Sequence, residues 1–206
     1  MAENKDWTGN NASIWKTLGA SNHTDKERQQ HDFYASHPSA IDRLLKKVQL
    51  HHNIWECACG QGDLSKRLLE NGYNVVSTDL VDRGYGDGGR DFLMEQEFPF
   101  RDDCCILTNP PFKASLEFIE HALRIAPSDD TPIFMLLKTT ALEGKSRHER
   151  LYTKGYLQSV YQFTERLLCA KNGDFDGMMR GGGSAVAYAF FEFKRKKCDA
   201  PRIYWI

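Results

Sequence analysis

Asn109, Pro110, Pro111 and Phe112 stand between a short apolar run, residues 104–107, and an amphipathic stretch, residues 113–126. Proline fixes its own φ, lacks a donor N–H and holds the preceding residue extended. Two in a row make a rigid turn where a buried strand ends. The asparagine amide offers an acceptor oxygen, and so does the Pro110 carbonyl. Two convergent acceptors beside a flat ring suit a planar group bearing an NH₂, such as a nucleobase or an amide. The same four residues also suit a plain strand terminator followed by a core phenylalanine.

Upstream lies a second constellation. Residues 54–58 read as a buried strand, Cys59, Gly60, Gln61 and Gly62 as a small-residue turn, and residues 63–71 as a helix with Leu64, Leu68 and Leu69 inward and Gly72 as its stop. A strand, glycine turn and helix let a backbone approach a nucleotide-like ligand closely. Residues 75–78 form a second strand ending in Asp79, where an acid can accept hydrogen bonds from ribose hydroxyls or stand as a solvated loop carboxylate. Asp91 and Phe92 place an acid next to an aromatic ring. The Gly60, Asp79, Asp91 and Asn109 stretches all fall at strand carboxyl ends or in the loops after them, so one pocket can hold all four.

The elements around them follow from periodicity. A helix over residues 38–50 has Pro38 in its first turn and Ile41, Leu44, Leu45 and Val48 on one face. Residues 132–137 are the most apolar run and read as a central strand covered on both sides. Strands alternating with helices make a parallel sheet with right-handed crossovers. Residues 84–89 read as a flexible connection, 144–155 as a charged surface helix or a phosphate-binding face, and 159–169 as a strand. The glycine-rich stretch 171–184 reads as a loop without helix or strand, able to close over a substrate. Residues 185–193 are a strand, 194–197 its solvated basic end or a nucleic-acid contact, and 202–206 a candidate last strand. Residues 1–30 form a polar arm, and 31–206 one domain.

Composition narrows the class. The chain has 206 residues, 41% hydrophobic and 27% charged, as expected of an ordinary globular domain. No apolar run approaches the ~20 residues that span a bilayer, and the first residues lack a signal-peptide pattern; the expected location is cytoplasmic. Six cysteines without C-x-x-C spacing read as reduced core residues, with no metal site expected. A formal net charge of −1 argues against a large basic footprint for duplex DNA.

Taken together, these motifs resemble an S-adenosylmethionine-dependent methyltransferase. More narrowly they resemble adenine-N6 DNA methyltransferases with an Asn-Pro-Pro-aromatic motif, including small phage and prophage members. The resemblance covers about residues 32–193 and implies a Rossmann-like α/β fold: a mostly parallel central sheet, helices on both faces and a C-terminal antiparallel strand. It implies that Asn109, Pro110, Pro111 and Phe112 are catalytic. It implies a cofactor site of Phe33, Tyr34, Glu56, Ala58, Gly60, Gly62, Asp79, Leu80, Asp91 and Phe92, with Gly60 and Gly62 against the methionine part, Asp79 on the ribose, Asp91 and Phe92 around the adenine, and Phe33 and Tyr34 over the methionine end. The motif order is similar to the γ arrangement of such enzymes. Two features depart from the pattern: Phe112 stands where tyrosine is frequent, and there is no separate recognition domain. The implied partner is nucleic acid, DNA first, with a homodimer or an accessory recognition subunit supplying specificity. The same turn fits RNA guanine-N2 or protein glutamine-N5 methylation, and a noncatalytic cofactor-binding subunit is the reading from another class.

Overall fold

The computed structural model describes residues 34–171, 173–180 and 184–206. The polar arm and Phe33 lie outside the described residues. The described chain begins with β1 (Tyr34–Ser36), helix α1 (Ser39–Leu45), β2 (Asn53–Glu56), α2 (Asp63–Glu70) and β3 (Asn74–Ser77). It continues through β4 (Cys104–Thr108), α3 (Ser115–Ile125), β5 (Ile133–Lys138) and a short α4 (Lys145–Arg147) that widens into a π-helical turn (His148–Tyr152). After that come β6 (Leu157–Gln162), β7 (Cys169–Lys171), α5 (Phe175–Arg180), β8 (Tyr188–Phe193) and β9 (Arg202–Trp205).

Seven strands form one sheet in the order β3-β2-β4-β5-β8-β6-β9. Strands β3, β2, β4 and β5 are mutually parallel, β8 runs antiparallel to both β5 and β6, and β9 joins β6 in parallel. From β2 the chain steps outward to β3 and then returns to β4 on the other side of β2. That reversal opens a crevice beyond the carboxyl ends of β2 and β4, where ligands bind in open parallel sheets.

Side chains alternate across the strands, so each strand feeds two cores. Ile106, Met135 and Phe191 share one core with Trp55 of β2 and with Phe118 and Ile119 of α3. Leu107, Phe134 and Phe190 face the other way, toward Ile41 and Leu44 of α1 and Leu64 and Leu68 of α2. Helices thus cover both faces, which is why the strands read as continuous apolar runs.

Several expectations shift. Helix α1 stops at Leu45, because the N–H groups of Lys47 and Val48 both close onto the Leu44 carbonyl at 2.9 Å in a tightened last turn. The strand expected over 159–169 is two strands. Phe163 and Leu167 are drawn into the core under α1 and α2, which lifts the chain out of the main sheet; β7 then pairs antiparallel with β1 as a separate two-stranded sheet. The 171–184 stretch does hold a helix, α5. Its only glycine, Gly177, donates its N–H to Asp174 Oδ1 at 2.8 Å, and the Phe175 ring meets His37 edge-on at 5.1 Å. Residues 84–89 are also ordered by backbone bonds, Asp87 N–H to the Ser77 carbonyl and Asp79 N–H to the Asp87 carbonyl, alongside the end of β3. Among the described residues, no helix is long and apolar enough to cross a membrane.

Candidate active site

A cavity of about 360 Å³ opens at the carboxyl ends of β2, β3 and β4. Its catalytic-motif wall is built by β4. That strand is wholly buried through Thr108, and Asn109 follows where the backbone leaves the sheet. Pro111 is extended (φ −58°, ψ 125°), after which Phe112–Ala114 make one 3₁₀ turn into α3. The Ser115 hydroxyl closes that turn on the Phe112 carbonyl at 3.0 Å.

The Asn109 side chain is oriented by β1. Its Nδ2 donates to the Tyr34 carbonyl and to Ser36 Oγ, both at 2.9 Å. A carbonyl only accepts, so the nitrogen must face β1 and Oδ1 must face away from it. Oδ1 is buried and has no hydrogen-bond partner. A buried acceptor without a donor costs about 1–3 kcal/mol. Next to it, the Phe112 ring sits 5.8 Å from Tyr34 and 6.0 Å from Tyr188, with Lys138 Nζ 4.6 Å from its centroid. Phe112 is half-buried: it packs against the core beneath α1 and α2 and also lines the cavity.

The opposite wall comes from the β2–α2 turn. Gly60 and Gly62 take left-handed backbone (φ 58° and 81°), and Gly62 donates to the Cys59 carbonyl at 2.8 Å. Neither glycine lines the cavity. Gly60 donates its N–H to Asp79 Oδ2 at 2.8 Å, while Val81 N–H binds Asp79 Oδ1 at the same distance. Asp79 is therefore a buried carboxylate held by two backbone donors at the cavity edge, not a solvated loop acid. Each of its oxygens retains acceptor capacity for a ligand hydroxyl.

Glu56, at the end of β2, lines the cavity and is almost fully buried. It accepts from the Ser65 hydroxyl of α2, which is itself 2.7 Å from Ser77 Oγ. Burial pushes its carboxyl up to about 8, against the smaller opposing pull of the Ser65 bond. Asp63, in the first turn of α2, also faces the cavity, and burial raises it as well. Asp91 lines the cavity from an exposed position and accepts from Leu93 N–H at 3.0 Å. Phe92 lines it too but is only 2% exposed, wedged between Trp55 at 5.2 Å and Phe118 at 4.9 Å, so most of that ring is core. Ala58 and Leu80 complete the expected set; Leu80 is 55% exposed.

Tyr34, Glu56, Ala58, Asp79, Leu80, Asp91 and Phe92 thus share one cavity with all four residues of the Asn-Pro-Pro-Phe motif. Gly60 and Gly62 stand one layer behind. Sequence reasoning missed Asp63 and Ser36. Asp63 follows Gly62 directly, and position N1 of a helix after a glycine turn was the available signal. Nothing local marks Ser36, because its partner lies 73 residues away.

Outside the cavity, the basic stretches are largely neutralised. Arg150 binds Glu120, Lys194 binds Glu192, Arg195 binds Asp129 and Lys196 binds Asp130. Arg147 donates to the carbonyls of Ala141 and Glu143. In the phosphate-binding reading of 144–155 and the nucleic-acid reading of 194–197, these cations thus stand beside surface carboxylates or backbone carbonyls. Among the described residues, no group of three His, Cys, Asp or Glu side chains is placed to hold a metal ion. All six cysteines are free thiols.

No protein-family model matches this chain, and no curated protein matches it. Solved structures do share its fold. A Vibrio vulnificus protein assigned as the modification subunit of a type I restriction enzyme superposes on 88% of this chain and 48% of its own, with a TM-score of 0.55 and 14% identity. A type I restriction-modification methyltransferase subunit from Streptococcus thermophilus overlaps 82% of this chain and 44% of its own at TM-score 0.49 and 14% identity. A TehB-like SAM-dependent methyltransferase from Corynebacterium glutamicum overlaps 90% and 96% at TM-score 0.45 and 14% identity. The chain spans under half the length of the first two. Its fold is the Rossmann-like methyltransferase fold, with a seven-stranded, mostly parallel central sheet.

Proposed function

We propose that this protein transfers a methyl group from S-adenosylmethionine to the exocyclic amine of a nucleobase, with adenine N6 in DNA as the first-choice acceptor. The observation that carries the proposal is Asn109: both amide hydrogens are committed to β1, while Oδ1 is buried, unpartnered and next to a half-buried aromatic ring. That atom needs an N–H donor, and a planar amine supplies one.

The residues fit the cofactor. Carboxyl groups of Glu56, Asp63, Asp79 and Asp91 line one cavity and offer hydrogen-bond partners to an amine and to ribose hydroxyls. Asp79 would take the ribose, Glu56 and Asp63 the methionine end, and Asp91 with the edge of Phe92 the adenine. When bound, the cofactor supplies an electrophilic methyl on a sulfonium. The chain's own part is orientation. Asn109 Oδ1 and the Pro110 carbonyl each accept one N–H of the target amine, which favours a pyramidal nitrogen with its lone pair turned toward the methyl group. Phe112 stacks on the base. No strong base is required before attack, since the methylated amine loses its proton readily afterwards. Catalysis is then positioning and hydrogen-bond preorganisation. With duplex DNA the base must first leave the stack, at a cost of a few kcal/mol.

The assignment of the Vibrio vulnificus structure supports DNA as the substrate. The pairing of Arg150, Lys194, Arg195 and Lys196 with carboxylates favours recognition supplied partly by a partner, either a second copy or an accessory subunit. The test is methyl transfer from labelled S-adenosylmethionine to unmethylated DNA, RNA and a protein extract, followed by nucleoside and amino-acid analysis. Label in 6-methyladenine from DNA supports the proposal. Label in RNA or in protein glutamine replaces the substrate. No label, despite cofactor binding, points to the noncatalytic subunit or a missing partner.

A further inference from the structure

Asn109 can present Oδ1 to a substrate only if its amide plane is held, and the holding group is not on its own strand. Both hydrogen bonds that orient it come from β1, one from the Tyr34 carbonyl and one from the Ser36 hydroxyl. Ser36 is 3% exposed and touches the cavity. Its backbone is fixed by pairing with β7, where Ser36 stands opposite Cys169 and Tyr34 opposite Lys171. The next residue, His37, is tied twice more. Its N–H binds the Leu168 carbonyl at 2.9 Å, and its ring meets Phe175 of α5. The β1–β7 pair thus forms a small second sheet whose inner edge grips the asparagine.

We propose that Ser36 is a positioning residue: its hydroxyl, together with the Tyr34 carbonyl, locks the Asn109 amide so that Oδ1 faces the cavity. This rests on the reading of Asn109 as the amine-binding residue. The Tyr34 bond alone fixes one amide hydrogen and leaves the plane free to swing about it. The Ser36 bond fixes the second hydrogen and with it the plane. A swing moves Oδ1 by a large part of an ångström, and misplacement on that scale costs about 10²-fold in rate.

The experiment uses the full chain and two readouts. Ser36→Ala removes one oxygen and adds no bulk, and Phe175→Ala removes the ring that packs on His37 while leaving Asn109 and the partners of the Ser36 hydroxyl in place. The first readout is solvent exchange of the Asn109 side-chain NH₂ by ¹⁵N NMR, assigned through its disappearance in Asn109→Ala. Ser36→Ala should lower that protection at least tenfold, while Phe175→Ala keeps it. The second readout is steady-state transfer. Ser36→Ala should lower kcat roughly 10- to 100-fold, with cofactor Kd and substrate KM within about twofold of wild type. Unchanged NH₂ protection in Ser36→Ala overturns the proposal, as does an equal kcat loss in Phe175→Ala, which would assign the effect to the sheet and not to the hydroxyl. If wild type transfers no methyl group to any acceptor, the functional reading fails, and the NH₂ protection alone decides whether Ser36 positions Asn109.

Discussion

The Tyr85 ring lies against the backbone of Gly62: a methyl group on that glycine would sit 2.3 Å from Tyr85 Cδ1. Gly62 is also left-handed, at φ 81°. The second glycine of the turn is thus needed for two reasons, neither of which is direct contact with a ligand. Tyr85, with Lys66 Nζ 4.9 Å from its ring centroid, seals the outside of the β2–α2 turn. Gly62→Ala should cost about 2–4 kcal/mol, combining left-handed strain with overpacking. Urea unfolding measures it. Adding Tyr85→Ala should recover the overpacking part and leave the strain.

Asn109→Ala should lower methyl transfer by about 10²- to 10³-fold, the scale on which a single preorganised hydrogen bond to the reacting group acts. Cofactor Kd should stay near wild type, because Asn109 is assigned to the acceptor. Isothermal titration alongside single-turnover kinetics separates the two. Wild-type turnover in the variant would remove Asn109 from the mechanism.

Glu56 predicts a pH dependence of stability. Its folded carboxyl is pushed from 4.5 up to about 8 by burial. Between those values the folded chain holds a proton that the unfolded chain releases. The stability this supplies is complete below about pH 4.5 and is lost as pH rises through about 8. The slope approaches ~1.4 kcal/mol per pH unit inside that window. Glu56→Gln should unfold with a flatter profile from pH 5.5 to 7.5, on the order of 1 kcal/mol per unit less steep. Parallel urea titrations of the two proteins across that range give the difference directly. Identical slopes would show that the carboxyl ionises in place.

Helix α5 is capped by one side chain. Asp174 Oδ1 receives the Gly177 N–H at 2.8 Å, and the Asp174 carbonyl receives Met178 N–H at 3.1 Å. Asp174→Ala should weaken α5 by ~1 kcal/mol, the usual worth of an N-terminal cap. Hydrogen exchange should show faster exchange confined to residues 175–180, with β8 unchanged. A change in β8 protection would mean that α5 is part of the main cooperative unit.

The sequence by itself determined the β2–α2 turn and the β4–α3 turn. Their constraints are carried by neighbouring residues: glycine where φ is positive, proline where the backbone must be stiff, and apolar periods that mark what is buried. It also determined that Asp79 follows a strand end and Asp91 lies in the loop beyond it, so the expected cavity was legible before any contact was known. Three features were decided only by tertiary structure. The break at 163–168 happens because Phe163 and Leu167 find a core beneath α1 and α2, a burial that no local pattern announces. The placement of Glu56, half cavity wall and half core, depends on Ser65 reaching it from α2. The orientation of Asn109 depends on Tyr34, 75 residues earlier, and β1 is in turn held by β7. A three-residue strand has too few side chains to specify its partner by alternation, and its register is chosen by what the rest of the chain buries. Local dihedral preference placed the chemical groups, and long-range pairing aimed them.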